Sequence, residues 1–320
     1  MRLRFVLFLT LIFLSAACHR PSQDRDDKNT CTIATLYGPS SMGMIRFIDS
    51  ISGANNTDIK IEILNEPVQV RKMMIEGSAD FAILPTTMAA ILYNKGVDYR
   101  LIAIPVWGTL YLFGSDSTIT GWNDLRNKTV NVMDKGMTPD VLFRCLLEKN
   151  GIDPEKDLTL DYRFPTHVDL ANAVAAGQAK LGVITEPLVS LVMQKNKNVH
   201  PIFDLNREWI SQLGIPVAQT AFIGKESFIR EHPQLVEQIT SACERSSEWV
   251  NQNPDSAASL IVKYHILPDY EVALNAIPRS NLHFVRANTV ETQIREYLSV
   301  FYSMNPDIIG GKIPDEAFFY

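Results

Sequence analysis

The sequence predicts an α/β protein of two lobes, each a mostly parallel sheet flanked by helices, joined by a hinge of two crossovers. Three observations carry this prediction. Short apolar runs alternate with stretches of helical spacing. Several of those runs close on Gly, Pro, Ser or Thr. The pattern then restarts near residue 123, so that a second strand–loop–helix series lies nested inside the first.

Residues 32–36 form the first apolar run and stop at Tyr37-Gly38-Pro39-Ser40-Ser41. Met42, Ile45, Ile48 and Ile51 follow at near-helical spacing, with the serine pair marking the helix start. Residues 59–64 alternate with period two and predict a strand; residues 68–76 predict a helix ended by Gly77. A third strand covers 81–84, closed by Pro85-Thr86-Thr87, and a helix covers 88–93. Residues 99–106 and 110–113 read as two more strands.

In the second series, residues 129–133 form a strand, the loop 134–139 precedes a helix over 140–149, and residues 158–162 form another strand. A helix over 168–176 ends at Gly177, and a strand over 181–184 ends at Thr185-Glu186-Pro187. Residues 218–223 read as a strand returning to the first sheet. Helices over about 234–264 and 291–302 fill the last third, with boundaries at His232-Pro233 and Asn253-Pro254-Asp255. The first lobe is therefore placed at 31–115 and 216–320, and the second at 116–215. Ligands of open α/β sheets gather at the carboxyl ends of strands. Two such ends facing each other would form a cleft that closes by hinging.

The N-terminus sets the compartment. Arg2 and Arg4 precede an apolar run over 5–14, then Ser15-Ala16-Ala17-Cys18, which reads as a secretory signal over 1–17. The run falls far short of the roughly 20 residues that span a bilayer. The residues before Cys18 resemble a bacterial lipobox, which implies lipidation of Cys18 and anchoring to the bilayer. Residues 18–30 read as a flexible tether with little to bury. Of the remaining cysteines, Cys145 and Cys243 lie in helical patterns beside apolar residues and read as small buried hydrophobes.

Hydrophobic residues make up 46% and charged residues 21%, which excludes a disordered or collagen-like chain. A net charge of −6 argues against a nucleic-acid binder with a basic footprint. Four cysteines are too few for a disulfide scaffold. No P-loop, dinucleotide fingerprint or H-E-x-x-H occurs, and Gly38-Pro39-Ser40-Ser41-Met42-Gly43 has one residue too many for a nucleophile elbow.

The order of several segments carries a resemblance. Gly38-Pro39-Ser40-Ser41-Met42-Gly43-Met44 is followed by Gly77-Ser78-Ala79-Asp80-Phe81-Ala82-Ile83-Leu84-Pro85-Thr86 and by Val106-Trp107-Gly108-Thr109-Leu110-Tyr111-Leu112. Then come Gly136-Met137-Thr138-Pro139-Asp140, Leu146 to Pro154, Ile184-Thr185-Glu186-Pro187 and the tail Asn305-Pro306-Asp307-Ile308-Ile309-Gly310-Gly311-Lys312-Ile313-Pro314. Over residues 31–320 the chain resembles solute-binding proteins of ABC importers, in the type 2 periplasmic-binding branch that includes nitrate, sulfonate and thiamine-precursor binders. The resemblance implies a monomer in the bacterial cell envelope that traps one small solute and delivers it to a membrane permease with its cytoplasmic ATPase. It implies no cofactor, no metal and no chemistry on the ligand. Thiamine pyrimidine synthase, an enzyme of the same branch, needs a cysteine-rich iron site, and no such cluster stands in this sequence. An enzyme of thiamine-precursor metabolism and a ligand-sensing module for a membrane signalling protein are the alternatives.

Candidate ligand contacts sit at the strand ends. Ser40, Ser41, Thr86, Thr87 and Thr138 either donate to a ligand or cap their helices. Gly136 lets backbone approach a ligand, or simply makes a turn. Glu186 either accepts from an amine or ring N–H or is a loop acid. Trp107, Tyr111, Tyr37 and Trp209 either stack on a ring or pack in a core. Arg279 either meets an anion or forms a surface salt bridge. Lys135 is then the one basic residue in the predicted cleft loops, which favours a planar ring such as a pyrimidine or another vitamin-like compound over a sulfonate or nitrate.

Overall fold

A computed structural model of the chain describes residues 30–54, 58–133 and 135–320. The signal segment, Cys18 and the tether up to residue 29 lie outside the described residues. Eleven strands appear among those described: β1 (Cys31–Leu36), β2 (Ile59–Leu64), β3 (Phe81–Pro85), β4 (Tyr99–Trp107), β5 (Leu110–Gly114), β6 (Thr129–Asn131), β7 (Thr159–Asp161), β8 (Leu181–Thr185), β9 (His200–Asp204), β10 (Ala218–Lys225) and β11 (Leu282–Arg286). They form a six-stranded sheet, β11-β4-β10-β3-β1-β2, and a five-stranded sheet, β7-β6-β8-β5-β9.

The two sheets repeat one plan. In the first, β1 lies parallel to β2 and β3, while β10 runs antiparallel to both β3 and β4. In the second, β6 lies parallel to β7 and β8, while β5 runs antiparallel to β8 and β9. The antiparallel intruder in each sheet is the strand that has just arrived from the other lobe. Helices on the sheet faces complete the α/β architecture read from the alternating pattern.

One boundary needs correction. Residues 110–113 read as part of a first lobe ending at 115, but β5 pairs inside the second sheet. The outward crossover is therefore Gly108-Thr109. Gly108 has φ +59°, and a Cβ built there collides with the Asn206 side chain, so glycine alone fits this reversal. The return lies just before β10. The serine pair also moves: Pro39 occupies the first helical position, so Ser40 and Ser41 lie inside the short helix Pro39–Gly43 rather than capping it. The helical stretch over 234–264 divides at the predicted boundary into two helices, Pro233–Gln252 and Pro254–Lys263, meeting at Asn253.

Apolar packing continues through the hinge. One cluster joins Ala34 and Leu84 of the first lobe to Leu112 and Val183 of the second by way of Trp107, Leu205 and Trp209. Trp209 is fully buried, with its ring 6.1 Å from Tyr297 and 6.2 Å from Phe301 of the last long helix. The C-terminal tail is bound to the first lobe by Asn94, whose Nδ2 donates to the carbonyls of Ile309 and Lys312 at 2.6 Å. Cys31, Cys145 and Cys243 are buried and unpaired, and burial pushes the Cys31 and Cys243 thiols up to about 12. No helix among the described residues is long and apolar enough to cross a membrane.

Candidate functional site

Four strand ends meet between the lobes. β1 leads through Gly38 to the helix Pro39–Gly43, and β3 leads directly into the helix Thr86–Asn94. In the second lobe the loop after β6 leads to the helix Thr138–Lys149, and β8 leads through Glu186-Pro187 to the helix Leu188–Lys195. Three contacts show that these ends face one another. Thr87 Oγ1 lies 3.1 Å from Thr138 Oγ1. A Cβ built on Gly38 (φ +101°) would sit 3.2 Å from Pro187 Cδ. Glu186 pairs with Arg279 of the first lobe. Ser40, Ser41, Thr86, Thr87 and Glu186 are all buried here.

Hydroxyl groups dominate this end of the first sheet. Thr35 on β1, Thr86 after β3 and Thr220 near the start of β10 each carry a buried Oγ1 with no hydrogen-bond partner. An unmet buried hydroxyl costs about 1–3 kcal/mol, so three together mark a place built to meet something else. The helices beginning at Thr86 and Thr138 add unpaired amide N–H groups and a partial charge of about +0.5 each. Their first turns touch through Thr87 and Thr138, which sets two positive helix ends against each other. An acceptor-rich group placed there relieves that repulsion.

The second-lobe wall is held by Asp140. Its carboxylate accepts from Gly136 N at 2.7 Å, Arg144 Nε at 2.8 Å and Tyr162 OH at 2.6 Å. Those bonds lock the loop carrying Gly136 (φ +79°) and the start of the helix at Thr138. Burial and the bond to Asp140 push the Tyr162 hydroxyl above its ordinary range. Lys135 lies 5.4 Å above the Tyr162 ring.

Glu186 has a different neighbourhood from the one its sequence suggested. Its Oε1 accepts from Arg279 Nε at 2.5 Å and Ser190 Oγ at 3.0 Å, and its Oε2 accepts from Ser190 N at 3.2 Å. Arg279 also donates to Ser190 Oγ at 2.7 Å, and Tyr111 OH donates to the Arg279 carbonyl at 3.1 Å. Burial pushes the Glu186 carboxyl up, while Arg279 and Ser190 pull against it. Burial likewise pushes the Tyr111 hydroxyl up. Arg279, read as an anion contact or a surface salt bridge, is a partly buried link between lobes, because the turn Ile277–Arg279 faces the helix that follows β8.

A family model described as NMT1/THI5-like matches residues 54–257. The chain belongs to the NMT1/THI5-like family. Its fold matches an ABC transporter protein from Parabacteroides distasonis with a TM-score of 0.79 at 23% identity, covering 91% of this chain and 99% of the other. The periplasmic aliphatic sulphonate binding protein SsuA from Escherichia coli gives a TM-score of 0.69 at 14% identity over 91% and 90% of the two chains. The periplasmic nitrate-binding protein NrtA from Synechocystis PCC 6803 gives 0.62 at 14% over 88% and 84%. A curated relative, the binding protein YtlA of Bacillus subtilis (strain 168), is 27% identical over 146 residues, which is 46% of this chain and 42% of that protein. Family and fold are thus those the sequence segments resemble.

Within this NMT1/THI5-like chain, the structure gathers Ser40, Ser41, Thr86, Thr87, Thr138 and Glu186 at one interface. It takes Trp209 into the core and ties Trp107 Nε1 to the His283 carbonyl at 2.7 Å. Tyr37 is 43% exposed. Sequence reading missed Thr35 and Thr220, and it missed the hinge clasp. There Gln219 Oε1 accepts from Thr109 N at 2.6 Å and its Nε2 donates to Thr109 Oγ1 at 2.7 Å. Thr109 Oγ1 in turn lies 2.6 Å from Thr185 Oγ1. The threonines carried a signal, since each interrupts an apolar strand at the end that faces the other lobe; Gln219 carried none.

Proposed function

We propose that this chain is the solute-binding component of an ABC importer, anchored in the bacterial cell envelope through Cys18. It traps a small solute between its lobes and hands it unaltered to a membrane permease coupled to a cytoplasmic ATPase. The observation that carries this reading is the contact of Thr87 with Thr138, where two helix N-termini from opposite lobes meet beside unpaired threonine hydroxyls. Such a site binds and holds; it presents no activated nucleophile.

The same geometry bears on the ligand. The preference for a planar ring rested on the scarcity of basic residues in the cleft loops; the Glu186 carboxylate that would receive a ring's N–H donors is engaged by Arg279 and Ser190. What remains unpaired is a set of donors: the Thr35, Thr86 and Thr220 hydroxyls and the amides of two helix starts. Donors of this kind select oxygen-rich acceptors, so we assign a small solute with a sulfonate- or carboxylate-type head. The names of the SsuA and NrtA structural neighbours agree with this class. Titration calorimetry with alkanesulfonates, nitrate and free pyrimidines tests it. Saturable binding of an oxyanion without turnover is expected; tight binding of a pyrimidine alone, or conversion of any compound to product, overturns it. Replacing Cys18 with Ser is expected to release the protein from the membrane fraction.

A further inference from the structure

We propose that the hinge carries a second small-molecule site, apart from the Thr87–Thr138 interface, for a compact compound with an apolar body and one N–H or O–H donor. A cavity of about 580 Å³ opens beside the two crossovers. That volume lies within the range of small-molecule sites, and the wall has their character, mainly apolar with a few polar groups. Trp107, which immediately precedes the outward crossover, and Pro216, on the return, both line it. Ile210 comes from the second lobe, and Leu282, Val285 and Val290 come from the first.

The polar groups in this wall are oriented. Asn251 Nδ2 donates to the Ser247 carbonyl at 3.1 Å and to the Leu282 carbonyl at 2.6 Å. Asn281 Nδ2 donates to the Gly108 carbonyl at 2.5 Å. With both amide nitrogens engaged by backbone, each residue keeps its side-chain carbonyl oxygen as a spare acceptor in the wall it helps to line. A guest with a donor therefore gains from these two oxygens, and Asn206 and His283 add further polar groups to the same wall. The larger apolar share of this wall distinguishes it from the hydroxyl-lined strand ends.

The wall is drawn from both lobes and lies beside both crossovers, so a guest contacts surfaces that shift when the lobes rotate. It then binds one lobe angle better than others and biases that angle. The bias is reciprocal with whatever fills the strand-end site.

Indole is a suitable probe, with benzothiophene as the analogue that lacks the N–H donor. Amide chemical-shift perturbation of the full chain is expected to show saturable indole shifts at Gly108, Ile210, Val217 and Val285, with benzothiophene binding at least fivefold more weakly. Ile210→Gln, on a side chain that is 44% exposed, is expected to keep the fold and weaken indole at least fivefold. Val285→Trp is expected to block the cavity by filling it. Distances between spin labels at positions 75 and 168, one on each lobe, are expected to narrow in distribution when indole is saturating. Shifts that stay linear to the solubility limit, or that map to Thr86 and Thr138, overturn the proposal. So does equal binding by the Ile210 and Val285 variants in samples whose spectra are native, or an unchanged spin-label distribution.

Discussion

Glu186 of the second lobe and Arg279 of the first form a 2.5 Å ion pair that closes over the interface, with Ser190 bonded to both. The carboxylate is 1% exposed, so its charge depends on Arg279 for compensation. Removing one partner of a buried pair leaves an unpaired charge and costs about 3–5 kcal/mol. Arg279→Ala is therefore expected to disfavour the closed arrangement by an amount of that order. Small-angle scattering would register it as an increased radius of gyration. Glu186→Gln added to Arg279→Ala is expected to restore much of the loss, because a neutral amide tolerates burial and keeps a donor or acceptor for Ser190. Identical scattering profiles for Arg279→Ala and the parent chain would remove the pair from any role in closure.

Proton linkage follows from the same pair. Burial raises the Glu186 carboxyl above its ordinary value in the closed arrangement, and opening returns it to water and to that value. The closed form thus holds the proton more readily than the open one. Its stability relative to the open form rises as pH falls through the raised value and is lost as pH climbs past it. Scattering or cross-lobe label distances are expected to shift toward closure as pH is lowered from neutral toward the ordinary carboxylate range. Glu186→Gln is expected to flatten this dependence. A shift toward opening in acid would contradict the assigned sign.

Particular residues show what could be read from sequence and what could not. β1 and β3 were legible because each is a short apolar run closed by Gly, Pro, Ser or Thr, which marks the strand ends where Ser40, Ser41, Thr86 and Thr87 begin the next helices. β9 escaped because Pro201 interrupts its pattern; the structure tolerates it on an edge strand where the ladder shifts register. β11 escaped because His283 breaks a short run. β5 was recognised as a strand but assigned to the wrong sheet, since two residues of loop after β4 look the same whether the chain turns back or crosses over. The Glu186–Arg279 pair joins residues 93 positions apart, and nothing local at Arg279 distinguishes a cross-lobe partner from a surface one.

Thr86 separates stability from binding. Its hydroxyl is buried without a partner, so Thr86→Val replaces an unmet polar group with a methyl of similar shape. The free protein is expected to melt at the same temperature or slightly higher. A hydrogen bond to a charged acceptor is worth about 1.5–3 kcal/mol, so affinity for an oxyanion ligand is expected to fall at least tenfold. Paired calorimetry and thermal unfolding check both signs. Loss of stability with affinity unchanged would place the hydroxyl outside the ligand site.

Gly108 tests the outward crossover. It sits at φ +59° with Asn206 packed where a side chain would start, and its carbonyl accepts from Asn281 at 2.5 Å. Gly108→Ala adds backbone strain and a steric conflict, and Asn206 must move to relieve the conflict. A destabilisation of about 1–3 kcal/mol is expected. Asn206→Ala in the same chain is expected to recover the steric part and leave the backbone part, because the methyl then has room but the positive φ persists. Thermal unfolding of the two single variants and the double variant measures the coupling. Additive effects would mean that Asn206 does not press on this turn, and the hinge would then owe its path to Gln219 and Thr109 alone.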